Sequence, residues 1–366
     1  MLAQEKQTRA LYAIKALKKD AIIRHDDVDS VKLERKIFQI SSMKHHPFLV
    51  NLHSCFQTTN RLYFVMEYMP GADMMSQLQM QKDKRFNADQ TRFYASETLL
   101  ALEYFHSQGI IHRDLKLENI LMGSDGHIKL ADYGVCKDGM NYGNTTNTYA
   151  GTPDYMAPEI LMKKRGYSRS VDWWSFGVLV YVMLVGRYPF HGRDAHDILR
   201  NITAGNLDIN SRLGSDSASL IKALLTVDPK KRLGGSREGA ADIKRHAFFN
   251  KMDWDALLAK KIAPPIKPQI VRIGGGERRV HGWIQRTCGG NVDDRVWRRR
   301  RYPHPFPLSM SLLDWGFDDT DDALVAVTLW HWHCDSLPWR LHASFHRPRR
   351  PTFPTLRRSS PTSGRS

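Results

Sequence analysis

Residues 110–134 read IIHRDLKLENILMGSDGHIKLADYG. Two short apolar segments, Ile110-Ile111 and Ile128-Lys129-Leu130, are each followed by a polar cluster. Between them, Ile120-Leu121-Met122 leads into Gly123-Ser124-Asp125-Gly126, a turn of the kind that closes a hairpin. Strands at the apolar segments would hold His112, Arg113, Asp114, Lys116, Asn119 and Asp132 on loops carried by a rigid frame, where chemistry is usually sited. The residue types suit phosphoryl transfer. Asn119 and Asp132 carry the oxygen ligands that Mg²⁺ prefers. Asp114 is a separate carboxylate that can orient a hydroxyl and take its proton. Lys116 can neutralise charge on a moving phosphoryl group.

Composition sets the wider frame. The 366-residue chain has room for about two domains. No run of about 18 apolar residues occurs, so no transmembrane helix is predicted. The start, MLAQEKQTRALYAIK, lacks the apolar core of a signal peptide. The cysteines, Cys55, Cys136, Cys288 and Cys334, are scattered and form no CxxC site, which predicts a reduced, cytoplasmic setting. The formal charge is +16, of which residues 269–366 carry +7, from 16 arginines against nine acidic residues. Basic charge spread in this way argues for generic surface or attraction to anionic lipid, and no nucleic-acid site is predicted.

HRDLKLEN, then DYG 13 residues after Asn119, then Ala157-Pro158-Glu159 resemble the protein-kinase catalytic loop, the metal-binding D-F-G and the A-P-E motif. The wording is closer than kinase in general. LYAIKALKKD, HPFLVNLHSCFQTTNRLYFVMEY, YGNTTNTYAGTPDYMAPEIL and SVDWWSFGVL resemble the protein kinase C group of AGC kinases, and DYG with ALEYFHSQGI looks most like its fungal members. The resemblance covers residues 1–268. It implies an α+β bilobal fold: an antiparallel N-lobe sheet with one regulatory helix, residues 1–66; a hinge, 67–73; and a mostly helical C-lobe, 74–249. Residues 250–268 would begin an AGC C-terminal extension.

The resemblance also implies roles. Leu11 to Lys15 is a β-type run matching V-A-I-K, whose lysine holds the ATP phosphates. Glu34, on a helix with apolar spacing over 29–40, would pair with Lys15. Phe48 to Leu52 and Leu62 to Met66 read as strands. Met66 would line the adenine pocket, with hinge bonds from Glu67 and Met69, Asp73 near the ribose, and Glu118 and Leu121 completing the ATP site. Thr148 would be the activation-segment phosphosite, its phosphate read by Arg113 and Lys137. Thr152 would touch Asp114 and Lys116, as in Ser/Thr kinases. The cofactors would be ATP and Mg²⁺. Partners would be an upstream activating kinase, protein substrates with basic residues near the target, and an anionic membrane surface reached through regulatory domains. Asp172 would hold the backbone near His112, and Glu159 would pair with Arg232. Phe86 to Gln108 has the apolar spacing of one long core helix.

Three departures stand against the pattern. No glycine occurs before Gly71, so no G-x-G-x-x-G-x-V loop precedes Lys15, and the small sheet is expected without its first strand and phosphate lid. Tyr181-Val182-Met183 carries valine where the basophilic family usually has glutamate. Residues 269–366 hold no lysine, six of the nine tryptophans and eight prolines, without sustained periodicity, and are expected to be an aberrant, disordered tail. Two function classes follow: a Ser/Thr protein kinase, or a kinase-fold chain that is catalytically weak. Binding of Mg-ATP and phosphoryl transfer separate them.

Overall fold

The computed structural model describes residues 1–162 and 166–268. The disorder expected for 269–366 lies outside the described residues. The N-lobe opens with β1 (Leu2–Gln4), β2 (Leu11–Lys18), α1 (Lys19–Arg24), α2 (Val28–Met43), β3 (Leu52–Gln57) and β4 (Arg61–Glu67). The strands form one antiparallel sheet in the order β1-β2-β4-β3. Ile14 lies opposite Val65 and Lys15 opposite Phe64. Because strand side chains alternate, Ile14 joins Val65 and Ala3 in a small core on one face, while Lys15 points to the other. There α2 packs through Glu34, Ile37, Phe38 and Ser41, positions i, i+3, i+4 and i+7 of a helix. Three of those four suit a core. The fourth, Glu34, meets Lys15.

The C-lobe continues with α3 (Met74–Met80), α4 (Ala88–Ser107), β5 (Ile120–Met122), β6 (Ile128–Leu130), α5 (Pro158–Leu161), α6 (Ser170–Val185), α7 (Ala195–Ala204), α8 (Ser215–Leu224), α9 (Ala240–Lys244) and α10 (Trp254–Leu258). The expected long helix starts two residues late. A capping box of Asn87 and Gln90 sets its N-terminus, and Phe86 lies outside it, its N–H bonded to the Met183 carbonyl at 2.7 Å. Almost every residue of α6 is buried, including Trp173 and Trp174. A helix buried on all sides is a central strut, and α4 and α8 pack against it. It ends where Gly186 takes a left-handed conformation, φ 78°.

Two expected strands are corrected. Phe48 to Val50 are buried as loop. Leu130 N–H donates to the Phe48 carbonyl and Val50 N–H to the Leu130 carbonyl, at 2.9 and 3.0 Å. The apolar run thus packs on the catalytic hairpin, and β3 begins only at Leu52. Ile110-Ile111 forms no strand either. Ile111 makes an isolated bridge to Lys137, and the hairpin is β5 with β6, Leu121 opposite Lys129. Residues 250–268 fold back on that hairpin. Lys260 bonds Asp125 at 3.0 Å, and Gly126, φ +88°, lies against Pro264 and the Ile266 carbonyl.

His46 is expected to make the fold acid-sensitive. It is 9% exposed, stacks on Tyr104, and accepts the Phe48 N–H on Nδ1 at 3.3 Å. Burial, with Lys129 nearby, pushes its pKa from 6.5 down to about 4. The unfolded chain therefore binds the proton first. This residue's contribution is complete above its unfolded pKa and is lost as pH falls towards 4. Chemical denaturation at pH 7 and pH 5 is expected to show about 2 kcal/mol more loss for the wild type than for His46→Gln. Equal losses would exclude His46 as the cause.

Candidate active site

Asp172 on α6 organises the catalytic loop. It is fully buried, and its Oδ1 accepts the Arg113 N–H while its Oδ2 accepts the His112 N–H, both at 2.9 Å. His106 of α4 donates to the same Oδ2 from Nε2 at 2.7 Å. Burial would raise the Asp172 carboxyl pKa; the His106 hydrogen bond and these backbone donors outweigh it and hold it low. The bonds also hold Arg113 at φ 68°, a left-handed conformation that costs a non-glycine residue on the order of 1 kcal/mol. Asp132 is similarly turned, φ 61°. Such turns carry side chains out of the line of the chain. His112 is buried, burial keeps it neutral, and its Nε2 lies 3.3 Å from the Ala131 carbonyl.

The catalytic-loop residues converge. Asp114 Oδ1 accepts the Thr152 hydroxyl at 2.6 Å, and its Oδ2 meets Lys116 Nζ at 2.7 Å. Lys116 also donates to Thr152 Oγ1 at 2.9 Å. Asn119 Nδ2 donates to the Asp114 carbonyl and carboxylate at 2.8 and 3.0 Å, leaving its Oδ1 as an acceptor. Across the cleft, Lys15 Nζ lies 2.7 Å from Glu34 and 3.4 Å from Asp132. Burial alone would lower the lysine pKa, but the two carboxylates outweigh it and keep Lys15 charged. Lys15, with Lys116, likewise overcomes burial to hold Asp132 ionised.

The hinge residues serve structure as well as the cleft. Met66 is 9% exposed at the end of β4. Glu67 Oε1 accepts from Asn51 N, Asn51 Nδ2 and Lys129 Nζ at 2.7, 3.0 and 2.8 Å, which ties the hinge to both lobes. Gly71 and Ala72 pair with Met122, and Asp73 bridges Leu121, so β5 lies beside the hinge; the Met69 methyl lies near Gly123. Asp73, expected near the ribose, also has a structural part in the fold. It is 4% exposed and caps α3, its oxygens accepting from Ser76 N and Oγ at 2.9 and 2.7 Å. Glu118 sits in a short turn after Lys116, its charge near Tyr155.

Arg113 donates to the Val135 and Cys136 carbonyls and to Tyr167 Oη, and Lys137 is fixed by its backbone bridge to Ile111. Thr148 is exposed and reaches Arg113 through Tyr167. His106, Tyr167, Asn51 and Lys129 were not singled out from sequence. No local pattern marks a helix histidine or a strand lysine as a partner of something distant. Among the described residues no group of three or more His, Cys, Asp or Glu is assembled round a metal. The oxygens of Asn119 and Asp132 are of the kind a hard divalent ion would take as ligands.

This arrangement is that of a protein kinase, and comparison with known proteins agrees. The protein kinase domain family model matches residues 1–249, and the chain belongs to that family. It is 50% identical to protein kinase C of Aspergillus fumigatus over 270 residues, 74% of this chain and 24% of that protein. Protein kinase C-like 2 of Schizosaccharomyces pombe is 49% identical over 270 residues, 74% of this chain and 26% of that one. For protein kinase C of Drosophila melanogaster the figures are 47% over 270 residues, 74% and 36%. The chain thus spans about a quarter to a third of these relatives' length. A domain of this family uses ATP and a divalent metal.

Proposed function

We propose that this chain transfers the γ-phosphate of ATP to serine or threonine in protein substrates with basic residues near the target. The convergence of Thr152, Lys116 and Asn119 on Asp114 carries the reading. Asp114 orients the substrate hydroxyl and accepts its proton. Lys116 offsets negative charge on the transferring group. Lys15, held by Glu34, orients the α- and β-phosphates. Asn119 and Asp132 would hold Mg²⁺, which when bound would supply positive charge to neutralise the phosphates. Met66, Glu67, Met69 and Leu121 border the adenine. The carboxylates of Glu118 and Asp73 offer partners to basic substrate residues, Asp73 by sharing its capping oxygens. Val182 is 2% exposed and supplies no carboxylate, which supports a weakened arginine preference at its subsite. Thr148 is the site for an upstream kinase, and Arg113 and Lys137 read its phosphate. The setting is cytoplasmic, with anionic membrane reached through regulatory domains of the family.

Label transfer from γ-labelled ATP to an arginine-flanked serine peptide tests this. The arginine peptide is expected to be favoured over its alanine-flanked counterpart by about tenfold in kcat/KM, the worth of one charge-assisted hydrogen bond. No transfer to either peptide would overturn the reading and leave a catalytically weak kinase-fold chain.

A further inference from the structure

Arg113 is 8% exposed, and no ion pair is formed by it among the described residues. Its donors go to neutral oxygens: Nε to the Val135 carbonyl at 2.6 Å, Nη2 to the Cys136 carbonyl at 3.0 Å, and Nη1 to Tyr167 Oη at 3.1 Å. Tyr167 is itself 3% exposed, and its hydroxyl donates onward to the Thr148 carbonyl. The Tyr167 backbone closes an antiparallel bridge with Thr146, at 3.0 and 2.9 Å. One residue therefore holds the stretch 146–148 at three points. Asn147 and Thr148 within it are exposed. Two residues on, Ala150 is buried, and Gly151, φ +117°, passes close against the Arg113 carbonyl. Next comes Thr152, on Asp114.

We propose that Tyr167 is a positioning residue: its hydroxyl ties the activation segment to Arg113 in the unphosphorylated chain and so sets Thr152 against Asp114. The effect on catalysis rests on the kinase reading. The tether itself does not. A phosphate on Thr148 would offer Arg113 a charged acceptor, stronger than a phenol oxygen. Hydroxyl and phosphate are thus alternative holders of one segment, and losing the first should matter only while the second is missing.

The test is Tyr167→Phe in the full chain, prepared with threonine or with phosphothreonine at 148. Hydrogen exchange over 144–150 is read by mass spectrometry, and peptide phosphorylation in parallel. In the unmodified form, exchange is expected to rise roughly tenfold and kcat to fall by a similar factor, the worth of one hydrogen bond to a charged group. KM for ATP should hold. In the phosphorylated form, both should return to within about twofold of wild type. Unchanged exchange in unmodified Tyr167→Phe would overturn the proposal, and so would an equal loss in both forms, which marks a merely structural tyrosine. Should wild type show no transfer, the kinase reading fails and the exchange arm alone decides the tether.

Discussion

Asp114→Asn is expected to lower kcat for peptide phosphorylation by roughly 10²- to 10⁴-fold while leaving KM for ATP close to wild type. Asparagine keeps one carbonyl oxygen where Asp114 Oδ1 takes the Thr152 hydroxyl, so the segment stays seated. It loses the anionic oxygen beside Lys116 and with it the capacity to accept a proton. On the proposed reading the nucleotide is held by other groups, and Lys15, Glu34 and Asp132 lie across the cleft. The split between kcat and KM therefore separates this residue from a nucleotide ligand, for which KM would rise. Steady-state kinetics with ATP varied at saturating peptide reads both. Activity within about threefold of wild type would remove Asp114 from the role of base.

Much of this site was legible because its information is local. The HRD loop, the turn at Gly123–Gly126 and DYG lie within one 25-residue stretch, and the hairpin β5–β6 that frames them has turn chemistry on its face. The distant members were legible by resemblance alone. Lys15 and Glu34 are 19 residues apart, and nothing intrinsic to either says that they meet at 2.7 Å. Errors arose where tertiary contacts overrode pattern. Phe48-Leu49-Val50 is as apolar as any strand, yet its hydrogen bonds go to Leu130. Tyr167 and His106 were invisible because their roles consist of bonds across the fold, to Thr148 and to Asp172.

The Glu159–Arg232 pair was expected from sequence, and its surroundings make it the point where one substitution should damage the C-lobe most. The Arg232 side chain is 0% exposed and that of Glu159 10%. The guanidinium meets both carboxylate oxygens, at 2.7 and 2.9 Å. Its remaining donors reach the carbonyls of Thr226, Ser170 and Val227, at 3.0, 2.9 and 3.2 Å, and its face lies over the Trp174 ring at 5.1 Å. Arg232→Ala would leave a carboxylate and three carbonyls without their donor, beside a cavity. Breaking one side of such a pair costs about 3–5 kcal/mol, a fall in Tm of roughly 6–20 °C for a domain of this size. Arg232→Lys should fall between, since an ammonium cannot make the two-pronged contact. The double variant Glu159→Leu/Arg232→Met should be less damaged than Arg232→Ala, because it removes the stranded charge and fills the volume. Calorimetry of the four proteins orders them. An alanine variant melting within about 2 °C of wild type would mean that the segment around Glu159 relaxes to let water reach the carboxylate, and the pair would then be an ornament of the folded state and no support for it.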